Sequence, residues 1–408
     1  MKLLRAAAAW VLIVTFLAPA CASRSVAPIG AGGQPFKPEA DERALWAKAE
    51  KEEEALLRKA RPYDDPLLEE YLAQVGDRLT SEEVRAAGGP GFEFGVIRDP
   101  TLNAFAMPNG KIYVHTGLLS RLENEAQLAT ILGHEMTHVT HRHALSFQRD
   151  ARNKQILYTV LAVAASIGVA AAAGSRAGSG DYVGAAVIGQ TASAILGLGL
   201  QLAVVAAING YGRDLEREAD QAGMESLVRA GYDPAEAPKV FELLRAESKD
   251  RGSLETFFFG SHPRLTERID TTRELVRTRY AAAASPAAVV DTEDFRLRMR
   301  SVVRDNAYED IRAGRFTVAR RQLDRVLAVT PNDPVAHLYY GDLHRLQSQR
   351  DRDAEQKRES AALALASYAR AVERGTWFLR GGSWRRRSIT ARAGPVTHSC
   401  TPMSSRRT

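Results

Sequence analysis

The sequence predicts an α+β chain, predominantly helical, with a small β-hairpin or sheet early on and an all-helical region near its C-terminal end. Three observations carry this. Amphipathic or charged helical patterns recur at several places between residues 41 and 231. Asn109-Gly110 lies between two short apolar runs, the strongest hairpin signal in the chain. Beyond residue 291 the pattern changes to paired helices.

The first 23 residues read MKLLRAAAAWVLIVTFLAPACAS: Lys2 and Arg5, an apolar stretch, then Ala18-Pro19-Ala20. That order is expected of a secretory signal peptide over residues 1–20. Cys21 follows at once, so the alternatives are plain secretion and a lipoprotein anchored through Cys21. The only other cysteine is Cys400, which gives no disulfide framework. Residues 21–40, rich in Pro and Gly, read as a flexible tether.

A domain is expected over 41–280. Residues 41–61 read as a charged helix, and Pro66–Leu79 as an amphipathic one with Leu68, Tyr71, Leu72, Val75 and Leu79 on its apolar face. FEFGVI and NAFAMPNGKIYVHTG supply the strands. Asn124, with Gln127 three residues on, reads as the cap of the next helix. Residues 156–174 and 182–212 are long uncharged runs, long enough to span a bilayer. Their Ala and Gly content favours a buried or membrane-touching hairpin instead. A charged helix resumes at 213–231.

Residues 281–291 (AAAASPAAVVD) read as a linker. Over 292–376, Gly314, Ala319, Leu323 and Pro331, then Pro334 and Gly341, resemble two tetratricopeptide units, with an ordinary helical hairpin as the alternative. Residues 377–408 read as a disordered basic tail.

The chain has 408 residues, 45% hydrophobic and 25% charged, an ordinary globular mix with length for two domains. Its formal charge of +6 comes from the tail, since residues 379–408 hold seven Arg and no acid. The rest is near neutral and lacks a basic patch with interleaved aromatics, so no nucleic-acid partner is expected.

The chemistry is concentrated in ILGHEMTHVTHRHA, residues 131–144. His134 and His138 are four apart, which on a helix puts both rings on one face within reach of one Zn²⁺. Glu135 then lies beside the open position, where it can take a proton from water. Ala144 stands where a metzincin needs a third His, which excludes that class. His141 lies nearer the metal face and His143 points elsewhere; both read as surface or supporting residues. A third ligand has to come from a distant segment, and YGRDLEREAD at 211–220 is the best candidate. Glu216 and Asp220 share a helix face, so one can bind metal while the other accepts the N–H of a ligating His. Glu218 falls on another face.

HEMTH followed at a distance by EREAD resembles the zinc metallopeptidases that include the HtpX proteases and CaaX prenyl proteases. The order of signal, protease-like domain and short tetratricopeptide region is most similar to their periplasmic BepA-type branch. NAFAMPNGKIYVHTGLL and GYDP also match that branch. The resemblance implies a gluzincin-like domain holding one zinc per chain through His134, His138 and Glu216. It implies Glu135 as general base and acid, with Asp220 supporting a ligand. It also gives meaning to FFFGSHPRLTERI, because a Ser-His-Pro segment and a following Arg lie at the family's cleft. His262 and Arg268 are therefore expected at the site. They either stabilise an oxyanion or, for His262, fill zinc's fourth position and latch the enzyme.

The strand at Lys111, Ile112, Tyr113 and Val114 is expected to be exposed and to pair with an extended peptide. Together these readings predict an exported endopeptidase of the bacterial periplasm, possible lipid anchoring included. Its expected substrates are misfolded or misassembled envelope proteins. Membrane association is expected through Cys21 or residues 156–212, and the outer-membrane assembly machinery through the repeats. The alternative is a chaperone-like assembly factor with a latched protease site.

Overall fold

A computed structural model describes residues 26–152, 211–251 and 265–375. The signal segment, Cys21, nearly all of the 156–212 apolar stretch, His262 and the basic tail lie outside the described residues. These residues divide into two units, one running to Thr292 and one from Glu293 onward, with Leu119–Arg121 grouped with the second.

The first unit is built around one helix. Its elements in order are α1 (Ala40–Lys59), α2 (Pro66–Leu79), α3 (Glu82–Ala87), β1 (Glu93–Ile97), β2 (Ala104–Ala106), β3 (Lys111–His115), α4 (Thr116–Leu119), α5 (Glu125–Thr140), α6 (Arg213–Arg229), α7 (Glu236–Arg251) and α8 (Leu265–Thr278). Every residue of α5 from Glu125 to Val139 is buried, which suits a helix surrounded on all sides. Around it pack α2, α6, α7 and β2.

The start of α5 is fixed as the sequence predicts. Asn124 Oδ1 accepts the N–H of Gln127 at 2.9 Å, and Gln127 Oε1 accepts the N–H of Glu123 at 2.9 Å. Glu125 in the first turn is 1% exposed, yet four groups meet its carboxylate. Tyr71 donates at 2.6 Å, Tyr232 at 2.7 Å, Arg78 lies at 2.8 Å, and Thr292 also donates. A buried carboxylate so satisfied, at the positive end of a helix dipole, joins three separate segments to the helix start.

The amphipathic face of α2 is buried at Leu68, Tyr71, Leu72, Val75 and Leu79 as its periodicity predicts. The Asn109-Gly110 hairpin also forms: β2 pairs antiparallel with β3. Gly110 takes φ +96°, and a Cβ there would collide with the Gly91 carbonyl, so the turn requires glycine.

Three expectations are corrected. β3 is the central strand of a three-stranded sheet of order β1-β3-β2, paired parallel to β1 on its other side. Lys111, Ile112, Tyr113 and Val114 therefore have their main-chain groups committed and offer no edge to a peptide. Their side chains are occupied too, since Glu53 of α1 receives Lys111 at 2.9 Å and the Tyr113 hydroxyl. The tether is docked from residue 26 onward: Ile29 is buried, its N–H donates to Thr140 O at 2.7 Å, and Phe36 N–H donates to Ala87 O at 2.7 Å. The segment read as a linker is likewise tied down at its end, where Val289 bridges Tyr232 and Val290 O accepts the N–H of Ala126. No described helix is long and apolar enough to cross a membrane.

The second unit holds α9 (Glu293–Arg312), α10 (Phe316–Val329), α11 (Pro334–Arg350) and α12 (Ala354–Gly375). α9 packs on α10, α11 on α12, and α9 and α10 both touch α11. Gly314 turns the chain at φ +78°. Ala319 and Leu323 are fully buried, and Gly341 leaves the space that the Tyr368 ring fills. Asp310, fully buried, is satisfied by Arg315 at 2.7 Å and Gln322 at 3.0 Å.

Candidate metal centre

The centre lies where α5 crosses α6, and two glycines let the helices approach. A Cβ on Gly223 would meet His134 N at 3.0 Å and the Gly133 carbonyl carbon at 3.1 Å. At this crossing the i, i+4 pair of α5 faces the i, i+4 pair of α6. His134 Nε2 lies 3.1 Å from His138 Nε2, and Glu216 oxygens lie 3.4 Å and 3.7 Å from these two nitrogens. All three residues are 2–3% exposed.

The donor chemistry asks for a cation there. His134 Nδ1 lies 2.9 Å from Asp220 Oδ1, so a proton sits on Nδ1 and Nε2 is left to present its lone pair to a metal. Two imidazole nitrogens and a carboxylate thus converge, a set that fits a divalent ion once the His134 Nε2 proton is displaced. Burial and the Arg268 charge disfavour a proton on His134, but the Asp220 and Glu216 carboxylates outweigh them and hold its pKa at about 9. The pocket's surplus negative charge is answered either by a proton or by a metal.

Asp220 stays charged although burial opposes it, because Arg268 and His134 hold its carboxyl below the ordinary range. Arg268 binds Asp220 with a two-pronged grip of 2.8 Å and 2.6 Å, and its guanidinium lies over the Phe241 ring at 4.1 Å. The structure places Arg268 behind the centre with its fork turned toward Asp220, where the expectation had it stabilising an oxyanion. That geometry makes it a positioning residue. Glu135 is 1% exposed at the same crossing, and its charge is felt by Tyr211 and Arg268.

Two residues of the centre are not evident from motif spacing. Tyr211 is buried and stacks on the His138 ring at 4.6 Å between centroids, while its N–H donates to Glu216 Oε1 at 3.3 Å. It thus steadies His138 by its ring and Glu216 by its backbone. His143 is expected to point elsewhere, but it is 1% exposed and its Nδ1 lies 2.8 Å from His138 Nδ1. The reason is the turn after α5. Arg142 takes φ +57°, uncommon for a residue with a side chain, and is held there by Glu42 at 2.9 Å and 2.6 Å. The reversal points His143 back at His138 and leaves the more exposed His141 2.6 Å from Glu218.

Paired histidines and a glutamate on one helix, with Glu216 and Asp220 on a second, match the donor pattern of metallopeptidase centres. Residues 66–276 match peptidase family M48, and the chain belongs to that family. The putative beta-barrel assembly-enhancing protease of Vibrio cholerae is 33% identical over 226 residues, 54% of this chain and 42% of that protein. The beta-barrel assembly-enhancing protease of Escherichia coli is 30% identical over 242 residues, 59% of this chain and 45% of that protein. The mitochondrial metalloendopeptidase OMA1 of Schizosaccharomyces pombe is 31% identical over 199 residues, 49% of this chain and 50% of that protein. The chain spans half or less of the length of these relatives. The expected likeness to the BepA-type branch is borne out by the first two.

Proposed function

We propose that this protein is a zinc-dependent endopeptidase of the bacterial cell envelope that cleaves misfolded or misassembled envelope proteins. The observation that carries the reading is the convergence of His134, His138 and Glu216 beside a buried Glu135. One zinc per chain, held by those three ligands, supplies Lewis-acid activation of water and of the scissile carbonyl. Glu135 takes the proton from the attacking water and delivers it to the leaving amine nitrogen. Asp220 keeps the His134 proton on Nδ1, and Arg268 keeps Asp220 charged and in place. His262 acts at the same centre, by stabilising the oxyanion or by latching the metal. The N-terminal segment supports export, with plain secretion and a lipid anchor at Cys21 as the alternatives, and the names of the bacterial relatives support an envelope role.

The packing of α9 against both α10 and α11 supports the tetratricopeptide reading of the second unit. In that role it docks the outer-membrane assembly machinery, which is also what a chaperone-like assembly factor with a weak protease site requires.

The test is zinc content and casein cleavage of the full chain beside Glu135→Gln and His262→Ala. Cleavage by wild type, with zinc retained but cleavage lost by about 10²–10⁴-fold in Glu135→Gln, is the expected result. Zinc without cleavage until His262 is replaced identifies a latched protease. Absence of zinc from the wild type overturns the reading.

A further inference from the structure

Beside the centre lies a second cluster of metal-ligating groups. His141 Nδ1 is 2.6 Å from Glu218 Oε1, His143 Nε2 is 3.7 Å from Glu218 Oε2, and one donor atom from each residue lies within 4.8 Å of the others. His143 is the informative member. It is 1% exposed, yet its Nε2 has no hydrogen-bond partner among the described residues. A buried imidazole nitrogen without a partner carries a desolvation cost, and this one is aimed at a carboxylate just beyond hydrogen-bond reach. An ion about 2.0–2.1 Å from each donor sets such atoms roughly 3.3 Å apart, a spacing that the 2.6 Å and 3.7 Å separations to Glu218 bracket. The His141 side chain is 23% exposed and that of Glu218 47%, so the cluster opens to solvent on one side.

We propose that His141, His143 and Glu218 form a second divalent-metal site, weaker than the first, whose loading inhibits cleavage by breaking the His138–His143 hydrogen bond. The inhibitory part rests on the proposed peptidase function; the site itself does not. His138 ligates through Nε2, so its proton is on Nδ1, and it donates to His143 Nδ1 across 2.8 Å. A neutral His143 that accepts there carries its own proton on Nε2. To bind a metal through Nε2, it moves that proton to Nδ1, with no proton gained or lost overall. Two N–H groups then face one another at a distance that only a donor and an acceptor tolerate, and they separate. His138 loses the partner that orients it, and the first site loosens. Zinc in excess therefore acts against zinc in place.

The test uses the full chain, stripped of metal and titrated with zinc against a competing chelating indicator, with casein cleavage measured in parallel. Wild type is expected to take two zinc ions of distinct affinity, and His141→Ala one, the tighter. Excess zinc is expected to inhibit wild type, and His141→Ala to need about tenfold or more zinc for half inhibition with its basal rate unchanged. Glu218→Gln is the second variant, and circular dichroism reports whether each folds. One zinc in wild type at saturation, or two in both folded variants, overturns the proposal. One zinc with cleavage defeats the second site alone; two without cleavage defeat only the peptidase reading.

Discussion

The Asp220 carboxylate lies 2.9 Å from His134 Nδ1, and the same oxygen lies 2.6 Å from Arg268 Nη2. One atom therefore sets the tautomer of His134, a proposed ligand, and anchors the cation behind it. Asp220→Asn keeps the shape but puts a neutral amide against both. It is expected to weaken zinc binding by about 10–100-fold, read by competition with a chelating indicator. Arg268→Lys, which loses the two-pronged grip, is expected to weaken binding in the same direction but less. An Asp220→Asn variant with wild-type affinity would remove Asp220 from the centre.

Metal removal should be felt in stability as well as activity. The three proposed ligands come from helices far apart in sequence, and the unfolded chain presents no such set. Zinc at about 100 times its dissociation constant is expected to stabilise the fold by about 2.7 kcal/mol over the stripped protein. The check is a thermal melt with chelator and with zinc restored. An unchanged midpoint contradicts the assignment.

Gly223→Ala separates two opposing effects. Within a helix, Ala is ordinarily favoured over Gly by about 0.8–1 kcal/mol. Here the new Cβ meets backbone atoms of Gly133 and His134 at 3.0–3.2 Å, and backbone yields poorly. The clash is expected to prevail, with a net loss of about 1–3 kcal/mol by urea denaturation and weaker zinc binding. A stabilised variant would show that the crossing is looser than described.

Acid sensitivity is expected from Glu125. Burial opposes its charge, but Thr292, Tyr71, Tyr232 and Arg78 outweigh it and hold the carboxyl below its ordinary value of 4.5. A carboxyl lowered on folding stabilises fully above its unfolded pKa, and that contribution is lost as pH falls through the folded one. Unfolding free energy should therefore drop as pH goes from about 4.5 downward. Glu125→Gln should flatten that drop while costing about 1–3 kcal/mol at pH 7. Urea titrations at both pH values decide it, and an unaltered acid slope counts against the hub.

What the sequence discloses follows from how local each feature is. The α2 face, the Asn124 cap, the His134–His138 pair and the Glu216–Asp220 pair are all set by spacing within a few residues, where helical geometry leaves little choice. The role of β3 is different. Its second partner, β1, is parallel to it and lies beyond an intervening strand, and no turn signal announces such a pairing. Arg142 at φ +57° gives no composition cue, because Gly is the usual residue there. Without that reversal, His143 cannot be placed against His138. Tyr211 offers only its position just ahead of the Glu216 helix, and the service of Arg268 to Asp220 emerges only when α8 is packed.

The grip of Glu42 on Arg142 bears on how the protein can be cut. The family match begins at residue 66, so a fragment trimmed to that boundary keeps every proposed zinc ligand and discards α1. With α1 go Glu42, which holds the reversal after the metal helix, and Glu53, which ties down Lys111 and Tyr113. Such a fragment would carry an intact motif on a slackened frame. A recombinant protein meant to report this site has to begin upstream of α1, and the lead-in before the family boundary is part of the frame that holds the site.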